Sequence, residues 1–184
     1  MHIVAAAIEC FSTKGFHQTS IRDIAERANI SLGNLYNHFD SKAALILEIA
    51  SVEAQELKPY RNIPVDFPDP DKALRTFVTN HLKTLAYREQ VVLYIEVARE
   101  SLWHEDIARC FEDNRLVIVN YLKSILKAGI AKGLYDPKLS CLETAELIVG
   151  AVEGLGLRVQ FQGKSVSPKA RAALVHNLLK MIHK

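Results

Sequence analysis

The chain has no run of about 18 apolar residues, which argues against a membrane-spanning helix. It has no Cys-x-x-Cys pair. Its three cysteines (Cys10, Cys110, Cys141) are scattered and odd in number, so buried thiols in a reducing cytoplasm are expected rather than a disulfide framework. It has little charge of either sign to spare: the net is +2, which makes no case by itself for nucleic acid. No alternating strand pattern, internal repeat or low-complexity tract appears. The start, MHIVAAAIECF, lacks a basic lead and reads as a folding helix rather than a signal peptide. His104-Glu105 begins like HExxH, but Ala108 stands where the second zinc ligand belongs, and no Glu-x-x-His pair suggests a di-iron bundle. Gly150, Gly154 and Gly156 lack the order of a dinucleotide loop and a strand before them. No nucleophile–base pair, metal cluster or cofactor motif is left, so no enzyme, no metal and no cofactor are expected.

What is present is helical. Apolar residues make up 49% of 184, enough for a small head on a larger body. Residues 3–14 pattern as a helix closed by Gly15, with Phe16 expected to plug a small core. Ser20 with Asp23 reads as a capped start, Ile21, Ile24, Ala25 and Ala28 give helical spacing, and Asn29 is a left-handed stop. Ser31 caps a second short helix with Leu35 and Phe39 on its apolar edge. Two short helices joined by a tight turn suit a helix-turn-helix, whose second helix enters a DNA major groove. A helix from Lys42 to about Leu57 follows. Four of the six prolines then fall between Pro59 and Pro70, in an irregular connection. Beyond it, helices are expected from a cap at Asp71, over 89–103, over 105–132 (closed by Gly133), over 141–162 from a capping box of Ser140 and Glu143, and from Ser167-Pro168. The expected fold is all-α, with about nine helices: a helix-turn-helix head over 1–47 and a helical body over 48–184.

The run Thr19-Ser20, Asp23-Ile24-Ala25, Ala28, Ser31, Gly33, Leu35-Tyr36, His38-Phe39, Ser41-Lys42 resembles the TetR-type (TetR/AcrR) transcriptional regulators. It extends upstream through Ala6-Ala7, Phe11 and Lys14-Gly15-Phe16, and covers about the first quarter of the chain without gaps. The resemblance implies a three-helix DNA-binding head, a ligand-binding helical body and a homodimer. The charge count of the head gives no strong field, because through Leu47 it sets Lys14, Arg22, Arg27 and Lys42 against Glu9, Asp23, Glu26 and Asp40, so DNA binding would rest on the placement of a few cations and helix N-termini. The family often carries a longer basic arm before the first helix and a lysine where Leu32 stands; these residues show neither.

Asn34 and Asn37 are the candidates for base edges, since an asparagine amide can bond adenine bidentately. Leu32 leaves room for a thymine methyl, and Gly33 lets the backbone approach the duplex. Ser20, Arg22, Tyr36 and Lys42 are candidates for phosphate, with Ser31 as the cap and His38 facing phosphate or packing. For a small, largely apolar effector the candidates are Phe77, His81, Tyr94, Arg99, Trp103, Phe111, Arg115 and Tyr121, although an aromatic stripe at helical spacing is equally plain core. For pairing of the last two helices with a symmetry mate, Ala145, Ile148, Val149, Gly150, Val152, Gly154, Leu155, Leu174, Leu178 and Met181 are the expected surface; burial within one chain is the other reading. The expected function is a cytoplasmic, dimeric, ligand-responsive regulator, a repressor on palindromic double-stranded DNA, with no membrane partner. A helical adaptor that binds only protein is the competing reading.

Overall fold

The computed structural model describes residues 2–62 and 66–184, so part of the proline-rich connection (residues 63–65) lies outside the described residues. Ten helices appear among them and no strand. The helices are α1 (His2–Lys14), α2 (Ile21–Arg27), α3 (Leu32–Tyr36), α4 (Lys42–Glu56), α5 (Lys58–Arg61), α6 (Pro70–Thr84), α7 (Arg88–Glu100), α8 (Glu105–Ala131), α9 (Cys141–Phe161) and α10 (Pro168–Ile182). The chain forms two compact units, one of residues 1–57 with 88–115, the other of residues 58–87 with 116–184.

The first unit packs α1 against α2, α4 and α7, with α3 on α2. Gly15, at φ +79°, ends α1, and Asn29, at φ 53°, ends the turn of α2. Both stops fall where the sequence puts them, at residues that tolerate left-handed backbone. Ser20 closes α2 with a full capping box to Asp23. Phe11, Ile24, Leu35, Leu45 and Ile46 are wholly buried, and the Phe16 ring packs against Phe11 at 5.2 Å between centroids, tilted by 53°. Asn114 is buried in the same unit. Its Nδ2 donates to the Ala50 carbonyl at 2.9 Å and to the Glu53 carboxylate at 3.3 Å, tying the start of α8 to α4. An unpaired amide there would cost stability, so the pairing fixes how the two helices meet.

The second unit is built round α6, which packs on α9 and α10. Asp69, not Asp71, is the N-cap of α6, and its carboxylate accepts from the Lys72 amide at 2.9 Å. The reason is Pro70. It has no N–H to satisfy and its φ is preset for the first helical position, which makes the residue before it the cap. Asp71 instead accepts from the Tyr135 hydroxyl at 3.0 Å and meets the His183 ring at 3.0 Å. Gly129 makes that closure possible, because a Cβ there would meet the Tyr135 ring at 2.1 Å. A further correction concerns α9. Ser140 precedes it but makes no side-chain cap bond; its ψ is 106°, against 151–167° at the four serines that do cap. Ser167 caps α10 with Pro168 at the first position, as the sequence indicates.

Candidate nucleic-acid interface

Helix α3 has five residues, and among these only Leu35 is buried. That single anchor turns the rest outward. Gly33, Asn34, Tyr36, Asn37 and His38 are exposed, Tyr36 by 49%, while Leu32 is half-buried against the head core. The Ser31 hydroxyl accepts from the Asn34 amide at 3.1 Å, which sets the pitch of the first turn. A Cβ at Gly33 would meet nothing within 4 Å, so backbone is openly accessible there. The result is a short convex ridge whose side-chain amides, phenol and imidazole are unscreened. Such a ridge suits hydrogen bonding to base edges in a major groove.

The supports are as telling as the ridge. The Lys42 ammonium donates to the Phe16 carbonyl at 2.7 Å and the Thr19 carbonyl at 2.9 Å, and lies 4.5 Å from the centre of the Phe16 ring. Burial lowers its pKa, with the nearby Glu100 carboxylate opposing. In this structure Lys42 therefore clasps the turn between α1 and α2 instead of reaching outward. Lys14 bonds Asp23 at 2.6 Å, and this pairing, with Ser20, holds the Asp23 carboxyl well below the usual range. Arg27 Nε bonds Glu9 at 2.6 Å. Ser20 and Arg22 are exposed, and Arg22 has no ion-pair partner among the described residues.

The effector candidates fall in both units. In the first, the Tyr94 and Phe111 rings, 5.6 Å apart, line a cavity of about 80 Å³. Its other walls are Ile8 of α1, Ile49 and Val52 of α4, and Leu93 and Val97 of α7, with Glu53 and Gln90 as polar groups. Sequence reasoning missed these aliphatics because nothing local separates a cavity wall from core. Arg99 pairs with Glu96 at 2.7 Å and with buried Glu100 at 3.1 Å, and Arg115 pairs with Glu112 at 2.7 Å. Trp103 lies past the end of α7, in a turn, and is 78% exposed, so it lines no interior in this structure. In the second unit Phe77, His81 and Tyr121 do come together. Phe77 stacks on His81 at 5.5 Å and meets Tyr121 at 6.2 Å, with Tyr60 and Phe67 completing the group. Burial raises the pKa of both Tyr60 and Tyr121.

The pairing surface needs correcting. Ala145, Ile148, Val149, Val152 and Leu178 are buried within the chain, so they cannot face a partner. Gly150 and Gly154 are open, with nothing within 4 Å of an added Cβ, and Met181 is 41% exposed; Leu155 and Leu174 are intermediate. The outward stripe of α9 runs instead through Leu147, Gly150, Gly154 and Phe161, with Leu147 55% and Phe161 74% exposed. Among the described residues no cluster of acidic, histidine or cysteine side chains could hold a metal, and no helix is long and apolar enough to cross a membrane.

Residues 3–49 match the family model described as bacterial regulatory proteins, tetR family. The HTH-type transcriptional regulator UidR of Escherichia coli is 27% identical over 157 residues, which are 83% of this chain and 77% of that protein. The solved FadR regulator of Bacillus subtilis, in complex with stearoyl-CoA, superposes with a TM-score of 0.80 at 18% identity, over 98% of this chain and 96% of that one. A regulator from Saccharomonospora viridis, in complex with choline, superposes with a TM-score of 0.78 at 20% identity, over 100% and 96%. At such identities these two likenesses carry the fold alone.

Proposed function

The chain belongs to the TetR family of DNA-binding transcriptional regulators, which are not enzymes, and from that premise we propose that it is a cytoplasmic, homodimeric repressor released from a palindromic operator by a small molecule. The observation that carries this reading is the pairing of two exposed surfaces of opposite chemistry. One is the polar ridge of α3; the other is the apolar, glycine-notched stripe of α9. Residues 1–47 would be the reading head, and residues 48–184 would carry effector binding and dimerisation.

Asn34 and Asn37 read base edges, and Leu32 meets a thymine methyl. Gly33 admits close approach, Ser31 holds the pitch, and Ser20, Arg22, Tyr36 and His38 meet the sugar–phosphate edge. Two such ridges, held about 34–36 Å apart by the dimer, enter successive major grooves. An effector lowers DNA affinity only by its preference for a body conformation with another spacing. The cavity lined by Tyr94 and Phe111 is a suitable lever, because Ile8 in its wall belongs to the first helix of the head. At about 80 Å³ it admits a small apolar group, not a whole large ligand. Stearoyl-CoA and choline, held by two proteins of the same fold, share no chemistry, so the fold leaves the effector open.

The test is a footprint and a titration on DNA flanking the chain's own gene. Two-fold symmetric protection, lost with Asn34→Ala plus Tyr36→Ala, is expected. Weak binding that ignores both substitutions would overturn the reading.

A further inference from the structure

Asn114 of α8 is 4% exposed, so its amide has little water to fall back on. Its Nδ2 carries two hydrogens. It donates to the Ala50 carbonyl at 2.9 Å and to the Glu53 carboxylate at 3.3 Å. Residues 50 and 53 lie three apart on one face of α4, so a single amide spans successive turns. Ala50 is buried and carries only a methyl, which leaves its carbonyl within reach of α8. The rest of that buried face is apolar: Leu45, Ile46 and Ile49. Apolar burial is non-directional. It fixes the register of a helix less tightly than a hydrogen bond aimed at one carbonyl. Helix α4 in turn leads straight to the reading ridge, since only residues 37–41 separate it from α3.

We propose that Asn114 is a positioning residue for DNA binding: its amide pins α4 at Ala50 and so fixes where the α3 ridge stands in each copy. The proposal rests on the dimeric DNA-binding reading above. Two ridges fit successive major grooves only at a spacing of about 34–36 Å. One added base pair moves a half-site by about 3.4 Å and turns it by about 35°. A pinned α4 holds the ridges to one spacing and penalises such a duplex. An unpinned α4 samples other registers, loses affinity for the matched duplex and forgives the mismatched one. Two hydrogen bonds of ordinary net strength bias that equilibrium by roughly tenfold or more. The pin also borders the cavity of Tyr94 and Phe111, because Glu53 and Ile49 are in its wall. A ligand there that draws the Glu53 carboxylate away removes one of the two acceptors of Asn114, and loosens α4 at the same point.

The experiment selects an operator from a random duplex pool with the full chain. It then measures Kd by fluorescence anisotropy for that duplex and for one with a base pair inserted at its centre. Asn114→Leu, close in volume, should raise Kd for the selected duplex about tenfold and shrink the preference between the two duplexes by about as much. Asn114→Ala removes the same amide without apolar bulk and should shift both in the same direction. Circular dichroism checks the fold. Loss of folded protein lowers the active fraction equally for both duplexes and leaves their ratio alone, so the ratio separates positioning from mere stability. Ile125→Val, which trims a wholly buried residue further along α8, should keep the wild-type ratio. An unchanged ratio in both Asn114 variants overturns the proposal. So does an equal fall with Ile125→Val, or a wild type that binds the two duplexes alike. Failure to enrich any sequence would instead sink the DNA-binding reading itself, and this proposal with it.

Discussion

Helix α3 has five residues and buries one side chain; α9 has twenty-one and buries six residues. Each nevertheless offers an exposed face that the chain itself does not use. On α3 that face is amide, phenol and backbone, all of which are well solvated alone and gain only where a partner supplies matched donors and acceptors. On α9 it is Leu147 and Phe161 around two open glycines, which gain by simple removal from water. The first face suits selective and weak-per-contact reading, the second a standing partnership. Solvation chemistry thus separates the two faces: one gains only from matched polar groups, the other from any apolar cover.

The sharpest test removes the hidden anchor of each helix. Leu35→Ala and Ile148→Ala each empty a wholly buried site, and such truncations cost about 2–5 kcal/mol. Denaturant unfolding should show a loss in that range for both. The functional outcomes should differ. Leu35→Ala should abolish DNA binding even where the chain stays folded, because α3 has no second buried residue to hold it. Ile148→Ala should leave the affinity per dimer close to wild type.

A second test cuts at the outward stripe. Phe161→Ala with Leu147→Ala touches side chains that are mostly exposed in one chain, so chain stability should change little. If the stripe is buried against a second copy, the dimer dissociation constant should rise about a hundredfold, the scale of a hot-spot loss near 2–3 kcal/mol. Sedimentation equilibrium reads it directly. An unaltered dimer would move the partner surface elsewhere.

These two tests bear on what was legible in the chain. Asn29, Gly15, Ser20 and Ser31 act locally, through backbone bonds within three or four residues, and their roles follow from residue type. The cap of α6 was equally legible, since Pro70 marks Asp69, but Asp71 is also an acid at a helix start and the local pattern alone did not separate them. The pairing face of α9 is different. That helix carries apolar residues on both faces, with Leu147 and Phe161 standing among Glu143 and Arg158 on the outward one, so residue type alone does not sort them; Ile148 and Leu147 are adjacent and alike, yet one is buried and the other exposed. The same holds for Ile8 and Val97, whose place in a cavity wall depends on helices far apart in sequence. Lys42 eluded the sequence for a related reason. Its partners are carbonyls, which every residue carries and no sequence marks.

The glycines of α9 sharpen the contrast at lower energy. Gly156→Ala drives a Cβ to 2.6 Å from the Leu85 side chain and should destabilise by about 1–3 kcal/mol, the usual cost of overpacking. Gly154→Ala meets nothing within 4 Å, so helix propensity alone should raise chain stability by up to about 1 kcal/mol. Thermal unfolding at low concentration isolates that gain. At high concentration the sign should reverse if a second helix rests on the notch, because the added methyl then holds the two apart.

The smallest effect belongs to the head and concerns pH. Asp23 accepts from Lys14 and from both the amide and hydroxyl of Ser20, and these bonds hold its carboxyl below the ordinary value, Lys14 contributing most. A depressed folded pKa means stabilisation that is complete above the unfolded value of about 3.9 and fades as pH falls through the folded one. Helix α2 should therefore keep its cap at pH 4, where an unpaired aspartate is half protonated, and lose it only in stronger acid. A carboxyl-carbon NMR titration reads the ionisation itself. Lys14→Gln should move the midpoint upward by more than Ser20→Ala does, because the ammonium is the first cause of the shift. The reverse order would mean that the cap, not the ion pair, sets the charge at the entry to the reading helices.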